Sequence, residues 1–245
     1  MNFDVDIFVG QLGNPDYVRG AMLSVGVAFF ALILATLIGF FVALGRMASK
    51  PVAQAPAYVY LWFFRALPAL LVLLIMWNAL PQVFPIFREN WYTPFIAAVL
   101  GLALVEAAFM AEIIRSALMS VDDGTRQAGR ALGMSPFKVM TKIVIPQAVR
   151  IALPPTTNEF IALIKFSSLA SVISLKELLT TAQIGVSVTF RYAEYYAVAI
   201  LYYLAIVSVI TVIQSLLERR LEWTSAVSTR EENAIKRATQ PRSIG

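Results

Sequence analysis

The sequence contains no cysteine and no histidine. Without them there is no disulfide framework, no thiolate nucleophile, no imidazole base and no ordinary zinc or haem ligand set, so hydrolytic and redox catalysis are poorly served. Charge is scarce as well: Asp, Glu, Lys and Arg make up 14% of 245 residues, against about a quarter in a globular chain. No GxxxxGK[ST] phosphate loop occurs, so the chain is not expected to bind ATP itself or to be an enzyme. Twelve glycines and twelve prolines are ordinary numbers for this length, which excludes collagen-like and low-complexity chains. What is abundant is apolar surface, 59% of residues, more than one soluble core can hide. The net charge of +5 would suggest nucleic acid only if the basic residues shared a face, and they lie instead between apolar blocks. No nucleic-acid partner is expected; a lipid bilayer is.

A helix needs about 20 residues to cross roughly 30 Å of hydrocarbon. Residues 20–45 form such a run without one ionisable side chain. A second span is expected from about Tyr58 to Leu80, stopped by Pro81 and Pro85, and a third from Pro94 through Glu106 to Leu118. The fourth, 151–173, contains Glu159 and Lys165; the fifth, 195–217, opens on a cluster of tyrosines resembling an interfacial belt. Residues 178–190, uncharged but rich in Thr, Ser and Gln, read as an external loop or amphipathic piece. The expected fold class is therefore all-α, a polytopic integral membrane protein with five transmembrane helices.

Orientation follows from Lys and Arg, which collect in short cytoplasmic loops. With the N-terminus outside and the C-terminus inside, fourteen of the twenty fall in inner segments. Residues 1–19 then form an external N-terminal segment, which carries Asp4, Asp6 and Asp16, lacks the positive leader of a secretory signal and is expected to be retained. Residues 20–220 form the membrane domain, and 221–245 a polar cytoplasmic tail expected to be disordered from Trp223 onward.

The longest inner connection, within 119–150, has helix punctuation. Asp122 or Asp123 can cap a short helix over about 125–132, Gly133 stops it, and Ser135 with Pro136 starts another that reaches Ile145 before Pro146 turns the chain back. Gly124, Gln127, Ala128, Gly129 and Gly133, followed by IPQA at 145–148, resemble the EAA loop of ATP-binding cassette (ABC) importer permeases. GRALGM at 129–134, Asn158 with IALIKFSSL at 161–169, FRALP at 64–68 and EAAFMAEIIRSAL at 106–118 are similar to the polar-amino-acid uptake branch of that family. The likeness covers about residues 20–220. Gln127 stands where the family usually has Glu, and Gly129 where it usually has Ala.

The resemblance implies the type I ABC importer permease fold and a role as the permease subunit of an ATP-driven importer of a polar amino acid in the bacterial inner membrane. It implies ABC ATPase subunits gripping Gln127, Ala128, Gly133, Met134 and their neighbours up to Pro146. It also implies a second permease subunit, identical or related, and a periplasmic solute-binding protein. No cofactor is expected in this chain; ATP and Mg would be bound by the ATPase. The alternative is an ion-gradient-driven secondary transporter, and a third reading is an anchor that only assembles other subunits.

A charge at mid-bilayer costs at least about 2.5–3.5 kcal/mol, so each one requires a partner, a cavity or a function. Depth matching expects Arg65 to pair with Glu159 or Glu112, and Lys165 with Glu106, while Glu112 and Arg115 form a local helix pair. Asn158, Lys165 and Leu169 share a helical stripe, and with Glu159, Ser167 and Ser168 they are candidates for lining a pathway. The four-residue spacing of Ala35, Gly39 and Ala43 predicts a close helix approach.

Overall fold

The computed structural model describes residues 3–239, with side chains described through Arg219. Helices account for nearly all of it. A short helix α1 (Val5–Leu12), capped by Asp4, leads to α2 (Pro15–Arg46), which begins as capping physics prefers, with Asn14 accepting from the Asp16 N–H and Pro15 in the first turn. α3 (Pro51–Ala66) and α4 (Ala69–Leu74) follow, and α4 passes through a π-helical turn, Ile75–Ala79, into α5 (Leu80–Val83). After a 3₁₀ turn at Pro85–Arg88 come α6 (Pro94–Met119), capped by Thr93, and the short α7 (Asp123–Ala131) and α8 (Pro136–Val139). A second π-helical turn, Met140–Val144, joins α8 to α9 (Ile145–Phe166); a 3₁₀ segment, Ser167–Ile173, leads to α10 (Leu178–Thr189), and α11 (Tyr192–Thr239) closes the chain.

Among the described residues, α2, α6 and the Tyr192–Arg219 part of α11 are each long and apolar enough to cross a membrane. The second expected span is not one helix. It breaks between Ala66 and Ala69, where the axis bends by 99°. Pro68 disfavours helical geometry at the residue before it, and Leu67 is extended at φ −85°, ψ 132°. The pair counts as a fourth candidate span. α9 does not qualify by composition, because Arg150, Asn158, Glu159 and Lys165 interrupt its apolar face.

Two compact units divide the chain, Met1–Ile206 and Val207–Gly245. In the first, the seam between α2 and α6 is built from small residues. Ala28, Ala31, Ala35, Gly39 and Ala43 are buried on α2, and Ala97, Ala107, Ala108 and Ala111 on α6. A Cβ on Gly39 would lie 2.9 Å from the Ala111 nitrogen, so the expected close approach there is met. The second unit continues α11, with Thr211 donating to the Val207 carbonyl at 2.8 Å. Its backbone is helical through Thr239, so the disorder expected from Trp223 onward does not describe 223–239; Ala, Glu, Lys and Arg, good helix formers, recur there. Residues 240–245 of that tail lie outside the described residues.

The segment expected to be a loop or amphipathic piece is the helix α10. Glu177 caps it, accepting from the Leu179 N–H at 2.8 Å and the Thr180 N–H at 2.7 Å.

Candidate functional site

Two regions carry the expected functional residues: the bend formed by α7 and α8, and the polar face of α9. In the bend, Asp122 accepts from the Thr125 N–H and starts α7. Gly133 ends it at φ +77°, a backbone that a side chain would strain. The Met134 N–H bonds the Gly129 carbonyl at 3.1 Å and the Gly133 N–H bonds the Arg130 carbonyl at 2.9 Å, the paired bonds of a Schellman stop. Ser135 then caps α8 with Pro136 in its first turn, as expected.

Pro146 does not turn the chain. α8 runs through the π-helical turn into α9 without interruption, and Pro146 sits in the first turn of α9. Shifting to wider hydrogen bonds over 140–144 accommodates the missing proline donor. The bend therefore rides on one helical path that also carries the α9 residues.

Gly124, Gln127, Ala128 and Pro146 are exposed, Met134 is half-buried and Gly129 is buried. The structure gives Gly129 a reason. A Cβ there would fall 2.7 Å from Ile143 Cδ1, so the missing methyl lets α7 sit against the π-helical turn. Beneath lies an apolar cluster of Ala117, Leu118, Val121, Val139, Val144 and Ala148, which joins the end of α6 to α8 and α9.

Sequence reasoning missed three residues here. Leu132 and Phe137 are 83% and 76% exposed, apolar side chains at the tip of the bend. Their hydrophobicity was the available signal. Arg126 donates to the Leu118 carbonyl, tying α7 to the C-terminal end of α6; no local pattern announces a bond across eight residues.

On α9 the expected ion pairs are not made. Arg65 donates to the Ala108 carbonyl at 3.2 Å and lies 5.6 Å from the Phe109 ring centroid, while Glu112 is taken by Arg46 at 2.7 Å and by Arg115 at 2.9 Å. The Glu112–Arg115 pair is as expected, and Arg46, which also lies over the Tyr58 ring at 4.2 Å, is the partner that depth matching overlooked. Glu106, 3% exposed, interacts with the Glu159 carboxyl rather than with Lys165. Its Oε1 is buried without a hydrogen-bond partner. Two acids from α6 and α9 are thus brought together, while Lys165 and Asn158 lie on exposed α9 surface. The Ser167 and Ser168 hydroxyls donate back to their own backbone, to the Ile164 and Lys165 carbonyls at 2.7 Å each, so only their acceptor capacity remains.

Glu177 is an acid that the sequence did not flag. It is fully buried and receives the hydroxyls of Thr180 at 3.0 Å, Tyr203 at 3.2 Å and Ser24 at 3.4 Å, joining α2, α10 and α11.

Comparison with known proteins gives a family model, binding-protein-dependent transport system inner membrane component, matching residues 18–223. A probable amino-acid ABC transporter permease protein, YckA of Bacillus subtilis, is 37% identical over 206 residues, 84% of this chain and 89% of the relative. The glutamine transport system permease protein GlnP of Escherichia coli is 32% identical over 208 residues, 85% and 94% of the two chains. The crystal structure of an amino acid ABC transporter with histidines is similar at a TM-score of 0.78 and 35% identity, covering 90% of this chain and all of that one. The MetNI methionine ABC transporter, at 19% identity and a TM-score of 0.70, shares the fold.

Proposed function

Because the chain belongs to the binding-protein-dependent transport system inner membrane component family and is the permease component of an amino-acid ABC importer, we propose that it moves a polar amino acid inward by alternating access, with the α7–α8 bend as the element an ATPase works. The protein is a multi-pass component of the bacterial inner membrane, ATP hydrolysis resides in a partner subunit, and the family implies ATPase and solute-binding-protein partners. That membership sets aside the gradient-driven and anchor-only readings.

The finer picture has five spans. The bent pair α3–α5 forms one and α9 with its 3₁₀ extension another, the N-terminus lies outside, and the segment 119–150 lies inside. The distribution of Lys and Arg supports this orientation. Residues 20–220 are the permease domain. A second copy or a related permease completes the conduit, since so few helices enclose little space alone. ATP and Mg are held by the ATPase. Asn158, Glu159 and Lys165 line the pathway, with Glu106 behind Glu159 and with Ser167, Ser168 and Arg65 at its margins.

One observation carries the coupling role: exposed Leu132 and Phe137 project from a bend stiffened by the Gly133 stop, the Arg126 bond and the cluster around Leu118. Apolar side chains so presented are docking anchors. A cysteine-free chain makes the test clean. Ala128→Cys should crosslink to the ATPase, and reconstituted vesicles should take up amino acid only with ATP, the ATPase and the binding protein together. Labelling of Ala128→Cys from the exterior, or uptake by this chain alone on an ion gradient, would overturn the proposal.

A further inference from the structure

A second site lies at the far end of α2 from the bend. Asp16 and Arg46 are 30 residues apart on this helix, roughly 45 Å at 1.5 Å per residue. Around Asp16, the α1–α2 junction, α10 and the first turn of α11 enclose an open cavity of about 660 Å³, a size typical of small-molecule sites. None of the proposed pathway residues lines it. Its base is close-packed, because the Tyr195 ring lies directly on Gly185 where a side chain would otherwise project.

The lining divides by chemistry. Leu23, Ile184 and Val188 form an apolar wall, and the last two are 49% and 77% exposed. Lys176, Arg19 and Asp16 form a charged rim with one more cation than anion. Arg19 reaches Asp16 at 3.4 Å in a solvent-exposed pair, which holds it weakly. Lys176 has neither a hydrogen bond nor an ion pair among the described residues. A free anion would satisfy the cations and leave the apolar wall wet. An amphiphile with an anionic head satisfies both parts, and membrane protein surfaces use basic residues in this way.

We propose that this cavity holds a phospholipid, its phosphate at Lys176 and Arg19 and one acyl chain along Leu23, Ile184 and Val188. The lipid would bridge the start of α2 and α10, at a place separate from the solute pathway.

The test uses the full chain in detergent, titrated with dioleoyl phosphatidylglycerol and read by native mass spectrometry. The wild type should retain one lipid saturably. Lys176→Gln with Arg19→Gln should weaken apparent binding about 25-fold, roughly fivefold per lost charge. Val188→Asn should weaken it as well, and Lys176→Arg, which keeps the charge, should bind like the wild type. All three positions are exposed, so unfolding midpoints should not move. Wild-type lipid retention in the double variant would overturn the proposal. So would displacement of the lipid by millimolar inorganic phosphate, which would make the site one for a free anion.

Discussion

Gly39→Ala adds a single methyl group in the α2–α6 seam. The new Cβ would stand 2.9 Å from the Ala111 nitrogen and from Met110 Cβ, and 3.0 Å from the Ala107 carbonyl oxygen. Two of those three atoms are backbone and cannot rotate away. Carbon atoms prefer about 3.5–4.0 Å, so the helices must part by about 0.5–1 Å, a gap that forfeits a quarter to a half of each dispersion contact along the seam. Overpacking of this kind costs about 1–3 kcal/mol, offset by about 1 kcal/mol of improved helix propensity. The expected net loss is up to about 2 kcal/mol. Gly26→Ala, on the same helix, is the control: its Cβ would meet only the Phe95 ring at 3.5 Å, an ordinary contact. That variant should keep the propensity gain and be stabilised by up to about 1 kcal/mol. Unfolding midpoints of the detergent-purified chains, followed by tryptophan fluorescence, should move in opposite directions by about 2–4 °C per kcal/mol. If Gly39→Ala is stabilised as much as Gly26→Ala, the close approach of α2 and α6 is not the reason for glycine at this position.

Gly133→Ala forces a left-handed backbone on a residue with a side chain, at about 1–2 kcal/mol, and should lower transport-coupled ATP hydrolysis while the rest of the chain stays folded. Leu132→Ala and Phe137→Ala remove exposed side chains, so unfolding midpoints should hold while co-purification of the ATPase falls at least fivefold, equivalent to a loss above about 1 kcal/mol at the interface. Arg126→Ala cuts the bond to the Leu118 carbonyl; ATPase binding should persist while uptake per ATP hydrolysed drops in proteoliposomes. Glu177→Gln replaces one acceptor oxygen by an amide donor facing other donors, and should lower the unfolding midpoint by an amount equivalent to about 1–3 kcal/mol.

Much of this was legible in residue spacing. Pro94 and Ser135 with Pro136 marked helix starts by local chemistry, and the structure places them there; Asn14 with Pro15 carries the same signal, yet the first span was expected only from residue 20. Gly133 marked a stop for the same reason. Proline was the ambiguous letter. Pro68 follows a break, with Leu67 before it extended, whereas Pro146 lies in the first turn of a helix that continues the π-helical turn before it. Charge partners were the least legible. Matching depth along two helices ignores azimuth, and azimuth sent Arg46 rather than Arg65 to Glu112 and set Glu159 rather than Lys165 against Glu106. Glu177 escaped because its partners come from three elements, distant in sequence, that meet only in the folded chain.

Pro154 and Pro155 lie inside α9, just beyond the stretch that the Leu118 cluster clamps. Lacking N–H groups, they leave the Arg150 and Ile151 carbonyls without their helical donors, and a helix is softest where its ladder has missing rungs. The Leu118 cluster and the Arg126 bond thus tie the bend, and α9 as far as Ala152, to the foot of α6. Glu159 and Lys165 sit past the soft joint. If an ATPase stroke is delivered at the tip, as proposed, it would reach them as a swing about the proline pair, and the angle of that joint would set how far the acidic and basic side chains turn.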